Sequence, residues 1–274
     1  MPVHGEQPVS TAVENFAEEL RAWRDRLGLS QADLGARMGY SGSHVSSVET
    51  MSRTPTFEFA KQADEALGTP GTFRRLHARI TKEAHPPWFA PFVHFEAMAS
   101  RIHSWDNRFL TGLLQTEDYA RAIIRAAKAG LAEDVIDRDV AARMERQQVL
   151  DRQEPPFCWF VIAESALRAS FGSLRVMRGQ LEHLLALCHR PAIRVQVWPS
   201  AVPDCPGCDG PVTVFDLPDA GPVGYAEGYE AGRIIESPAE MAKLILLFDL
   251  LRAAALSPAE SVRLITAIRG EYDE

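Results

Sequence analysis

Apolar residues in the first eighty or so positions recur at helical spacing and are interrupted where caps and glycines fall. Thr11 followed by Glu14 reads as a capping box, and Val13, Phe16, Ala17, Leu20 and Leu27 continue one helical face to Gly28. Ser30 with Asp33 supplies a second cap and predicts a helix over Gln31–Met38. Gly39 then sits where a tight turn needs positive φ, and Ser41 or Gly42 starts a third helix with Val45 and Val48 turned inward. Thr56–Leu67 and Thr72–Lys82 carry two more helical patterns.

Beyond this block the pattern changes. His85-Pro86-Pro87 stops a helix and marks a boundary, so residues 1–84 are expected to form one domain with an N-terminal arm and residues 85–274 a second. Thr116 caps a helix whose first turn holds Glu117 and Asp118 and which runs to Gly130; another spans Glu133–Arg152. Phe157–Ala163 is a continuous apolar run, read as a buried strand, and Val176 to Leu185 returns to helical spacing. Ile193–Trp198, Val212–Leu217 and Val223–Tyr229, the last two joined by the turn Pro218-Asp219-Ala220-Gly221, predict an antiparallel meander. Ser237-Pro238-Ala239-Glu240 and Ser257-Pro258-Ala259-Glu260 are identical helix starts. The expected fold class is a mostly α, five-helix N-terminal domain followed by an α+β domain with a small antiparallel sheet.

Composition alters this picture little. A chain of 274 residues with 46% hydrophobic and 24% charged residues has the make-up of a two-domain globular protein. The net charge of −8 argues against a nucleic-acid binder until it is divided. Residues 1–82 carry ten basic and ten acidic side chains, so the whole acidic excess falls in the second part and local DNA contact stays open. No apolar stretch of about eighteen residues is present and the first residues lack a basic-then-apolar leader, so a cytoplasmic, membrane-free protein is expected. Cys158, Cys188, Cys205 and Cys208 are too few and uneven for a disulfide framework.

Counted from Gln31, Gly35 is fifth, Gly39 ninth, and Val45 and Val48 fifteenth and eighteenth, the spacing a helix-turn-helix requires. A small fifth residue lets two helices cross closely, the ninth makes the turn, and the two aliphatics pin the second helix on the first. With Leu27–Gly35 and Ala66–Gly68 around it, residues 15–80 resemble the five-helix XRE family, whose members include the lambdoid phage repressors. Opposite Val45 and Val48 lie Ser43, Ser46, Ser47 and Thr50, with Gly42 and His44 at the margin. The resemblance implies that Ser43 and Ser47 contact bases and that Gln31 binds phosphate; Arg53 in the following loop is a further phosphate candidate. No Arg, Lys, Asn or Gln lies on this face, and short hydroxyls discriminate poorly between bases, so specificity is expected to lean partly on DNA shape.

Residues 112–122, 142–147, 180–184 and 256–261 resemble the C-terminal domain of actinobacterial WhiJ-type regulators, which implies an antitoxin-like tail and a small partner protein encoded nearby. The residues themselves announce no chemistry. Cys205-Pro206-Gly207-Cys208 is half of a zinc knuckle without its other half, and Cys188-His189 is the only close Cys/His pair elsewhere. The aromatic residues Trp88, Phe89, Phe92, Phe95 and Trp105 read as core or a seam between domains ahead of a ligand box. His103 with Asp106, Glu164-Ser165 and His183 match no catalytic constellation. No catalytic, metal or cofactor site is therefore expected, and the chain reads as a DNA-binding regulator whose tail forms a homodimer and binds a partner. The alternatives are a tail that senses a small molecule and, behind it, a tail that is an enzyme.

Overall fold

The computed structural model describes residues 11–84, 88–127, 130–218, 220–228 and 231–273. The predicted N-terminal arm and the His85-Pro86-Pro87 break lie outside the described residues, as do parts of the 218–221 turn and of the ends predicted at Gly130 and Tyr229. The elements are α1 (Thr11–Arg26), α2 (Gln31–Met38), α3 (Gly42–Glu49), α4 (Phe57–Leu67), α5 (Thr72–Ala84), α6 (Ala90–Met98), β1 (Arg101–Asp106), α7 (Glu117–Ala127), α8 (Glu133–Arg146), β2 (Phe157–Ala163), α9 (Glu164–Arg168), α10 (Leu174–Leu187), β3 (Ile193–Trp198), β4 (Val212–Leu217), β5 (Gly221–Gly228), β6 (Ala231–Ile235), α11 (Pro238–Ala254) and α12 (Pro258–Gly270). Among the described residues no helix is long and apolar enough to cross a membrane.

The chain divides into two compact units, one built from described residues within 1–86 and 128–145, the other from those within 87–127 and 146–274. The first unit is helical. Phe16 and Leu20 of α1, Leu34 and Met38 of α2, Val45 and Val48 of α3, Phe59 and Leu67 of α4 and Phe73 of α5 share one core. Almost all of α8 belongs to this unit, although it is distant in sequence: His77 of α5 places Nε2 3.3 Å from Glu145 Oε2. Burial pushes the His77 imidazole down to about 4, against a bond to the Pro55 carbonyl that favours its charged form.

The second unit is organised by one six-stranded sheet in the order β3-β2-β1-β4-β5-β6. This corrects the expected small antiparallel sheet. β1, β2 and β3 are mutually parallel, and only β4, β5 and β6 form the antiparallel meander, joined to the rest through β1. Ile193–Trp198 therefore belongs beside β2 and not in the meander. One face of the sheet carries Ile102, Phe160, Val195, Phe215 and Tyr225 against residues of α6, α7, α10 and α12. The other carries Trp105, Val161 and Val214 against Met241, Leu244, Phe248 and Leu251 of α11. The helix predicted over Glu133–Arg152 stops at Arg146 and tightens into a 3-10 turn over Gln147–Asp151.

The two identical Ser-Pro-Ala-Glu starts behave differently. Ser257 and Glu260 close a full capping box, whereas Ser237 makes no side-chain cap and the Glu240 side chain instead accepts from Arg233 at 2.7 Å. Residues of the segments 112–122, 142–147, 180–184 and 256–261 make hydrogen-bonded joints between elements of the second unit. Gln180 accepts from the Thr116 amide at 2.7 Å and donates to the Leu114 carbonyl at 2.7 Å, while Gln147 donates to the Gly112 and Gln115 carbonyls. Ser261 Oγ accepts from Val197 N at 2.9 Å, and the Leu256 amide donates to the Val197 carbonyl, so the start of α12 satisfies the free edge of β3.

Candidate nucleic-acid interface

α2 begins at Ser30, whose hydroxyl accepts from the Asp33 amide while Asp33 accepts in return, and it ends at Gly39 with φ 75°. The hydrogen bonds from Ser30 hold the Asp33 carboxyl below its ordinary range. Ser41 then caps α3 through the His44 amide. The turn is tight because two glycines let backbone meet backbone. A Cβ at Gly35 would lie 2.7 Å from the Tyr40 carbonyl oxygen and 2.9 Å from Ser41 C, and one at Gly42 would lie 2.9 Å from Ala32 Cα. Val45 and Val48 are fully buried, which sets the rotation of α3.

A buried carboxylate locks that arrangement. Glu49, 2% exposed at the last turn of α3, accepts from Arg24 Nε at 2.6 Å and Nη2 at 3.1 Å and from Gln31 Nε2 at 2.8 Å. Arg21 donates to the Glu49 carbonyl at 3.1 Å. One side chain thus ties α1, α2 and α3 together. The Glu49 bond, opposed by burial, raises Arg24 above its ordinary range. Glu49, Arg24 and Arg21 were not singled out in the sequence, where a lone Glu after a run of serines carries no signal. Asp64 plays a similar part behind α4. Burial would raise its carboxyl, but bonds from Thr69 Oγ1, the Phe73 and Arg74 amides and Arg74 Nε together hold it below its ordinary range.

The proposed contact residues gather around α3. Ser43 and Thr50 are exposed, and Ser46 and Ser47 are half-buried on the same helix. Their hydroxyls are partly spent on α3 itself: Ser47 Oγ donates to the Ser43 carbonyl at 2.8 Å and Thr50 Oγ1 to the Ser46 carbonyl at 2.8 Å. Having donated their hydrogens, the Ser47 and Thr50 hydroxyls keep only acceptor capacity, of the kind that suits the amino groups of adenine or cytosine. Arg53 is exposed in the loop after α3. Gln31 is half-buried with its amide held by Glu49. His44 packs, stacked on Phe59 at 5.3 Å and edge-on to Tyr40 at 4.7 Å, and burial lowers its imidazole pKa, Arg53 adding to the effect.

The other chemistry-bearing residues are built into the second unit. Successive strand residues point to opposite faces, so His103 and Asp106 on β1 cannot meet. Burial raises the Asp106 carboxyl to about 7 against a hydrogen bond from Ser104, with Glu227 reinforcing burial. Glu164 accepts from Arg168 at 2.8 Å and from the Ser200 amide at 2.9 Å. In the Cys205–Cys208 loop, the Gly207 carbonyl accepts from Trp105 Nε1 at 2.7 Å and a Cβ there would collide with that indole. Among the described residues, no group of three or more His, Cys, Asp or Glu is placed to hold a metal.

Two family models match parts of the chain. Residues 15–76 match the model of a helix-turn-helix domain, and residues 89–267 match that of a domain of unknown function, DUF5753. No curated protein and no solved structure matches the chain. With helices α2 and α3 in helix-turn-helix order ahead of it, and with more than half of its length covered by a single model, the chain belongs to the DUF5753 family and carries a helix-turn-helix domain at its N-terminal side.

Proposed function

We propose that this protein is a sequence-specific, DNA-binding transcription regulator of the XRE type that acts in the cytoplasm, and not an enzyme. The observation that carries the reading is the clamped pair α2 and α3, with Glu49 and Gly35 fixing their crossing and the hydroxyls of Ser43, Ser46, Ser47 and Thr50 lying away from the core. Gln31 and Arg53 flank that face as phosphate contacts, Gln31 through whatever its amide offers beside its bond to Glu49. The C-terminal domain supplies dimerisation and the regulatory contact, an antitoxin-like role in keeping with its resemblance to WhiJ-type tails. A headpiece with one recognition helix reads one half-site, and helix-turn-helix proteins gain affinity by placing two such helices about one DNA turn apart.

Enrichment of genomic fragments on the full chain, followed by a salt titration on a recovered site, tests the reading. Log affinity is expected to fall linearly with log salt at a slope of about −0.9 per phosphate contact. Failure to enrich any fragment overturns it. On the same site, Ser47→Ala is expected to change the preference at one base position by about 1 kcal/mol or less, while Gln31→Ala weakens all sites alike. Single-base variants of the site separate the two effects. A Ser47→Ala chain with every preference unchanged removes Ser47 from the base-reading face.

A further inference from the structure

We infer that Cys205 and Cys208 form a redox-active dithiol, a modification site that closes to an internal disulfide at the expense of a small-molecule disulfide of the glutathione type. Both stand as free thiols, as do Cys158 and Cys188. What sets the pair apart is the loop between β3 and β4. Residues 206–209 form a turn that begins directly after Cys205, and Pro206 fixes its own φ at the first corner. A tight turn of four residues keeps its first and last Cα atoms within about 7 Å, about the span a disulfide bridges. The turn is also bolted down at its middle. The Gly207 carbonyl accepts from Trp105 Nε1 at 2.7 Å and from Asn107 Nδ2 at 3.2 Å, and a Cβ on Gly207 would lie 2.3 Å from that indole nitrogen. Trp105 is a buried residue of β1, so the sheet holds Gly207 in place between the two cysteines.

The two thiols differ in access. Cys208 is exposed, whereas Cys205 is half-buried against the apolar cluster that contains Trp105. Burial raises the Cys205 thiol, with the Gly207 amide opposing and the nearby Cys208 thiol adding to the effect. Cys208 is therefore the thiol that meets the oxidant. Its thiolate attacks one sulfur of the small disulfide, forming a mixed disulfide and expelling one thiolate, which takes up a proton. Cys205, deprotonated in its turn, attacks Cys208 Sγ and expels the second small thiol. Two cysteine thiols and one small disulfide thus become one internal disulfide and two small thiols, and two electrons pass from the protein to the oxidant. Cys158 and Cys188 stay out of the exchange, because burial pushes their thiols up to about 12 and about 11. Two sulfurs are too few for a four-coordinate metal, and among the described residues no third ligand is placed with them. A disulfide that forms in a reducing compartment is of the transient, sensing kind.

The test is to equilibrate the folded full chain in glutathione buffers of rising oxidised-to-reduced ratio, trap the remaining thiols with iodoacetamide in denaturant, and map them by mass spectrometry. Cys205 and Cys208 are expected to lose their thiols together, as one internal disulfide, while Cys158 and Cys188 are alkylated throughout. Cys205→Ser is expected to hold glutathione on Cys208 as a stable mixed disulfide, because the thiol that would displace it is gone. The same chain unfolded in urea is expected to need a ratio about tenfold more oxidising, since nothing then holds the turn. A folded chain that keeps both thiols in wholly oxidised glutathione, or that retains glutathione on wild-type Cys208, overturns the pair. A urea-unfolded chain that closes at the same ratio, or at a less oxidising one, overturns the part assigned to the turn bolted on Trp105.

Discussion

Replacing Glu49 by alanine is expected to lower the unfolding free energy of the full chain by about 3 kcal/mol and to abolish binding to site DNA, because it removes a buried carboxylate of α3 that accepts from both α1 and α2. Burial sets the size of the loss. The Glu49 and Arg24 side chains are 1% and 13% exposed, so truncating one strands the other away from water, where an unpaired charge costs far more than the pair ever gained. Arg24 keeps bonds to the Leu29 carbonyl and to Asp25, which holds the loss toward the lower end of the range for buried pairs. Replacing both partners, Arg24→Met with Glu49→Met, is expected to recover much of the loss, since well-packed apolar residues remove the desolvation problem together with the pair. Urea unfolding followed by circular dichroism measures this as a shift in midpoint at unchanged slope. A Glu49→Ala chain within about 1 kcal/mol of the wild type would show that the carboxylate is no clamp, for that is the scale of an exposed pair.

The second large effect is expected at Gly35. Helix propensity alone favours alanine over glycine there by about 1 kcal/mol. A Cβ at Gly35, however, meets the Tyr40 carbonyl oxygen at 2.7 Å and Ser41 C at 2.9 Å, both backbone atoms of the turn that cannot rotate aside. Relief requires α3 to move off α2, so Gly35→Ala is expected to cost a net of about 2 kcal/mol in stability. The same displacement tilts the hydroxyl face of α3, and affinity for site DNA is expected to fall by more than tenfold. Gly179 in α10 is the matched control, since a Cβ added there would meet nothing within 4 Å. Gly179→Ala is therefore expected to be neutral or to stabilise by up to about 1 kcal/mol. If the two substitutions shift the unfolding midpoint equally, the close approach at the turn is not what the glycine provides.

The first five helices and their punctuation are legible in the local residue pattern. Ser30 with Asp33, Ser41, Thr56, and the left-handed glycines 39 and 68 act on backbone groups three or four residues away, so their effect is written locally. The spacing of Gly35, Val45 and Val48 was legible for the same reason, and with it the side of α3 that carries Ser43, Ser46, Ser47 and Thr50. Features that depend on partners distant in the chain emerge only once the elements pack. β1 escaped the pattern because a central strand is buried on both faces, and Ser104 and Asp106, buried and bonded to each other, erase its alternation. β3 looked like one arm of a meander until its pairing partner proved to be β2, since alternation fixes which side chains share a face and says nothing of strand direction. Ser237 and Ser257 begin identical tetrapeptides, yet only the second closes a capping box, and in the first the Glu240 side chain accepts from Arg233, a strand residue the local pattern does not foretell. Glu49 shows the same limit at the candidate interface. Its three partners, Arg21, Arg24 and Gln31, lie eighteen to twenty-eight residues away, so its role exists only once the helices have packed.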